Sequence, residues 1–128
     1  MATYAKINLS PGGTEGDGNP IPITDTAGNG SFIHDTGTSS GIRDEVWLWM
    51  TNIDTTSILV TLHIGYVSSA SAANAEKVMF KVPPQTGLML VLSGHSVRGT
   101  GSAARRIAAI ADTANKINVV GYVNRITD

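Results

Sequence analysis

Few residues of this chain have the chemistry for catalysis. Its histidines, His34, His63 and His95, each stand alone, and no H-x-x-x-H or H-E-x-x-H spacing supports helical zinc ligation. His34 and Asp35 are adjacent, so on a strand they point to opposite faces and cannot form a side-chain dyad. Serines are abundant but the G-x-S-x-G elbow is absent, which leaves only a Ser-His-Asp triad assembled from distant loops. There is no cysteine, which removes disulfides, thiolate metal sites and cysteine nucleophiles. The glycine-rich stretch Gly12–Gly18 lacks G-K-[ST] and no helix-forming run follows it, so it is not a phosphate cradle. Glu15, Asp17 and Asn19 carry oxygen ligands without the spacing of a calcium loop. The expectation is a protein without catalytic residues, metal or cofactor.

The elements that would position any site are strands. Asp44–Asn52, Thr56–Val67, Glu76–Val82, Gly87–Leu92 and Lys116–Arg125 are apolar or alternate at period two, with turn residues between them. Ala103–Ala111 is Ala-rich, but it is bracketed like a strand and is read as one over a short helix. The chain has 128 residues, enough for one domain with a real core. Short strands at this spacing predict an all-β antiparallel sandwich, jelly-roll-like in its topology.

Composition shifts near residue 42. Residues 1–41 hold eight of the fourteen glycines and three of the five prolines, and carry a net charge of −3; residues 42–128 carry +2. The division reads as an extended Gly/Pro-rich N-terminal arm over 1–41 and a sandwich body over 42–128. Overall net charge is −1, which gives no bulk attraction to nucleic acid or an anionic membrane. No apolar run approaches a transmembrane length, and no apolar leader follows Met1, so a cytoplasmic origin is expected.

Trp47 and Trp49 share one face of their strand, while Val46, Leu48 and Met50 share the other. A strand apolar on both faces needs a second cover. The arm, a second subunit, or a sugar stacked on the rings could supply it. The contact residues expected from the arm are Tyr4, Ile7, Leu9, Ile21, Ile23 and Phe32. From the body they are Trp47, Trp49 and the only basic doublet, Arg105 and Arg106.

Five stretches occur in order: A-K-I-N-L (Ala5–Leu9), G-D-G-N-P-I (Gly16–Ile21), D-E-V-W-L-W (Asp44–Trp49), V-P-P-Q-T-G-L-M-L-V (Val82–Val91) and G-Y-V-N-R-I (Gly121–Ile126). Together they resemble small structural proteins of tailed-bacteriophage virions, of the head decoration or cement type. The resemblance implies a β-sandwich on the outer capsid surface, assembled in the host cytoplasm. It implies a homotrimer bound to the major capsid protein lattice, with no nucleic-acid or membrane partner. Neck, tail or fibre-associated virion proteins use similar sandwiches, and a carbohydrate-binding module is a further alternative, motivated by Trp47 and Trp49 on one face.

Overall fold

The computed structural model describes residues 2–128. Nine strands form two antiparallel sheets. They are β1 (Thr3–Asn8), β2 (Ile21–Pro22), β3 (Ser31–Asp35), β4 (Ile42–Asn52), β5 (Ile58–Val67), β6 (Lys77–Val82), β7 (Met89–Arg98), β8 (Arg105–Ala111) and β9 (Ile117–Thr127). Sheet A runs β1-β9-β4-β7, with the short β2 also paired to β9; sheet B runs β3-β8-β5-β6. The chain crosses between the sheets at every connection except β1–β2 and β5–β6, and the orders β1-β9-β4-β7 and β3-β8-β5-β6 are those of a jelly roll, so the expected fold class holds. Ala103–Ala111 contributes strand β8, as read.

The core lies between the sheets. Val46, Leu48 and Met50 of β4 are fully buried against Val60 and Leu62 of β5, Ile107 of β8 and Val119 and Val123 of β9. Alternation decides this: in β4 every second residue points inward, and those residues are apolar except at its ends. At one end Asn52 is buried, and its amide donates to the carbonyls of Thr56 and Val82, which pins the turn into β5.

Asp44 occupies the other end. Its carboxylate accepts both Nε and Nη2 of Arg125 at 2.8 Å, and lies 2.7 Å from His34 Nε2. The Ser10 amide N–H reaches His34 Nδ1 at 3.1 Å. An amide N–H can only donate, so Nδ1 is the acceptor and Nε2 carries the proton toward Asp44. Burial alone would raise the Asp44 carboxyl, but the hydrogen bonds from Arg125 and His34 outweigh it and hold it below its ordinary 3.8.

The segment 1–41 does not leave the body. β1 and β2 run along β9, and β3 runs along β8, so this segment supplies an edge to each sheet in cis. Its glycines and prolines sit mainly in the connections, including a 3-10 turn at Pro11–Gly13. Two further features depart from alternation. β7 continues through Gly94 to Arg98, where the sequence reading placed a loop, because bulges at Val91 and Gly94 absorb the irregularity. A bulge at Gly65, with φ of +79°, turns Tyr66 onto the face of His63 instead of the core face of Val60 and Leu62.

Removing the Asp44 charge should leave Arg125 and His34 without their partner. Asp44→Asn is expected to cost about 3–5 kcal/mol at pH 7 in urea unfolding. Because the folded carboxyl titrates low, its stabilisation is complete above 3.8 and drains as the pH falls through the folded value. The acid limb of the stability profile should therefore be shallower in Asp44→Asn than in the parent.

Candidate functional site

The outward face of sheet A is the candidate site. Trp47 and Trp49 project from β4, and register places Tyr122 of β9 opposite Trp47. The three rings stack with near-parallel planes. Centroids are 6.3 Å apart for Trp47–Trp49 and 6.1 Å for each tryptophan with Tyr122. Lys6 of β1 extends its ammonium over the Tyr122 ring at 4.3 Å. On the other side Trp47 lies against Gly94, where an added Cβ would stand 3.3 Å from the indole. Beneath it, a Cβ on Gly121 would collide with the Trp47 carbonyl oxygen, so glycine is required for that close approach.

The rings are half-buried, and they are covered largely by one another. Every strand among the described residues belongs to one of the two sheets, so none of them crosses this face. Leu90 of β7, opposite Trp49, is half-exposed, and Tyr4 on β1 is 70% exposed. Beside the face, at the gap between β1 and β2, a cavity of about 240 Å³ is lined by Leu9, Asp17, Asn19, Pro20 and Gly121.

The residues expected from the sequence to make contacts separate into groups. Tyr4, Trp47 and Trp49 lie on the outer face. Leu9 and Ile23 do not: both are core residues, at 5% and 0% exposure, because the loops around them fold into the sandwich. Ile7 and Ile21 are half-buried against that core. Phe32 and Arg106 lie together on the far sheet, with the guanidinium 3.6 Å above the ring. Arg106 also holds Asp35 through two hydrogen bonds of 2.8 Å, and that carboxylate pushes the guanidinium pKa above its ordinary value. Arg105 reaches the Arg98 carbonyl at 3.4 Å. Tyr122, the third ring, was missed as a site residue; only its pairing with β4 brings it to Trp47.

Among the described residues, no catalytic geometry accompanies these groups. Ser10, His34 and Asp44 come together as residue types, but Ser10 offers its amide N–H to His34 and turns its hydroxyl to the Asn8 carbonyl at 3.3 Å. The histidine is fully buried, so the trio is a structural network without a nucleophile. His63 is also buried, with Nδ1 at 2.7 Å from the Asn29 carbonyl. Among the described residues no group of three His, Asp or Glu could hold a metal ion.

No protein-family model matches the chain, and no curated protein is significantly similar to it. Among solved structures it is similar to the Clostridium thermocellum N-terminal endo-1,4-β-D-xylanase 10B, containing CBM22-1 and GH10 modules, complexed with xylohexaose. Identity is 10% and the TM-score 0.40, over 98% of this chain and 24% of that one. The chain thus spans about a quarter of that protein's length.

The indole Nε1 of Trp47 is buried without a hydrogen-bond partner. Trp47→Phe removes that unpaired donor and keeps a stacked ring, so stability should change by less than about 1 kcal/mol. Trp47→Ala should cost about 3 kcal/mol. Equal losses in the two variants, measured by chemical denaturation, would contradict the stacking assignment.

Proposed function

We propose that the protein is a non-enzymatic virion structural protein that decorates the outer surface of a phage capsid and ties its subunits together. The observation that carries this reading is the outward face of sheet A. A half-buried cluster of aromatic rings on a sheet face that no strand covers is a candidate interaction site. Here the strands of the 1–41 segment pair along the sheet edges, from where Lys6 reaches over the Tyr122 ring. The order of motifs, from A-K-I-N-L to G-Y-V-N-R-I, supports the virion setting. The partner is the major capsid protein lattice, and the place is the assembled particle. Repeated lattice sites at high effective concentration would let modest single contacts add.

A carbohydrate-binding sandwich is the second reading, favoured by three aromatic rings beside Lys6 and Asn124. Sugar stacking needs a free ring face. Tyr122 has Trp47 stacked on it and the Lys6 ammonium over it, so its faces are engaged within the chain. That arrangement favours protein contact through the ring edges and the neighbouring Leu90.

Purified protein should cosediment with expanded shells of the parent phage. The double substitution Trp49→Ala/Tyr122→Ala should weaken that binding roughly hundredfold, since aromatic anchors dominate such contacts. Shells that leave the unmodified protein in the supernatant would refute the decoration role. A saturable shift in tryptophan fluorescence with a glycan panel would instead establish the second reading; none is expected.

A further inference from the structure

Net charge and the most exposed large apolar side chains are concentrated at the two lateral edges of the sandwich. One edge is built from β1, β2 and β3 with their loops. It carries Lys6 against Glu15, Asp17, Asp25 and Asp35, a net of −3. Asp35 is neutralised by Arg106, so the free acids are the exposed Glu15, Asp17 and Asp25. The opposite edge is built from β6 and β7. From residue 74 to 98 it carries Glu76 against Lys77, Lys81 and Arg98, a net of +2. The strands between, β4, β5, β8 and β9 with their connections, hold five basic and five acidic residues.

The exposed large apolar side chains follow the same division. Tyr4 and Phe32 are 70% and 43% exposed on the acidic edge. Val78, Met79, Leu88 and Leu90 are 48–61% exposed on or beside the basic edge strands. Ile53 alone, among those described, lies elsewhere.

We infer that copies of this chain associate head to tail, the acidic β1–β3 edge of one against the basic β6–β7 edge of the next. The inference rests on the assembly reading for the premise that copies meet, while the choice of edges rests on charge and exposure alone. A second copy fits because each chain carries both halves of the complement. The opposite charges attract and orient, and the apolar groups beside them supply the buried area. An isologous contact would instead set like charges against each other. Side chains make the contact, and strand addition does not: β7 carries two bulges and β6 two lysines, the devices that blunt an edge against indiscriminate pairing. A heterologous contact of this kind closes into a ring or extends as a filament.

The test uses sedimentation of the full chain and two surface variants. The parent protein should associate at low ionic strength and dissociate as salt rises, a result that needs no substitution. Lys77→Glu/Lys81→Glu turns the basic edge to −2, and Thr14→Lys/Asp17→Lys/Asn19→Lys turns the acidic edge to +1. All five positions are exposed. Each variant alone should associate roughly hundredfold more weakly. Mixed together, they should reassemble, because each reversed edge then meets its opposite. A mixture that stays apart overturns the head-to-tail assignment, as does association of the parent that salt leaves unchanged. A strictly monomeric parent also overturns it; if that monomer binds shells, the decoration role survives. Salt-sensitive association with no shell binding would have the converse meaning.

Discussion

One buried carboxylate decides how the two sheets lie together. Asp44 sits on the core face of β4, where most neighbours are apolar and an unpaired charge could not persist. Arg125 approaches from β9 within the same sheet, and His34 comes from β3 across the sandwich. The histidine in turn takes the Ser10 amide, so the loop after β1 is tied to the same group. Each member is specified by the others: the carboxylate needs two donors, and the imidazole needs a donor on one nitrogen and an acceptor on the other. A shift of β4 by one residue would bring Asp44 to the surface and Glu45 to the interior, undoing every bond at once.

That fixed register also makes the aromatic face. With Asp44, Val46, Leu48 and Met50 inward, Trp47 and Trp49 must point outward, and pairing with β9 sets Tyr122 beside them. The face is therefore a consequence of the core alternation combined with apolar residues at the alternate positions. Glycines complete it, Gly121 by permitting a close approach behind Trp47, and Gly94 by leaving room for the indole. The rings rest on a long central pair of strands, which gives the contact proposed for them a rigid support.

Much of this was legible in the sequence because the period-two signal is strong where one face is buried. β4, β5, β6 and β9 fall where the alternation puts them, and the doubled apolar character of β4 pointed to an outer site. The failures have identifiable causes. Bulges break the period, and so β7 looked short and Tyr66 leaves the core face that strict alternation through Val60 and Leu62 would give it. Leu9 and Ile23 looked like arm contacts because their glycine- and proline-rich surroundings suggest an exposed path; burial of an isolated apolar residue in a loop has no periodic signature. Tyr122 and the Asp44 network depend on pairings 75 to 81 residues apart along the chain, which no local pattern encodes.

The jelly-roll connection converts a boundary in the sequence into a boundary in space. Because the first three strands all take edge or near-edge positions on one side, the acidic character of residues 1–41 becomes one lateral surface. The sixth and seventh strands close the opposite side, and their lysines become the other. Central strands, paired on both flanks, hold their charges in balance and use several of them internally, as Asp44 with Arg125 and Arg106 with Asp35. A chain with so few charged residues, 15% of the total, would give a weak field if they were scattered. With the ten central charges in balance, the remaining nine leave −3 on one edge and +2 on the other, which gives the sandwich the direction that the proposed head-to-tail contact uses.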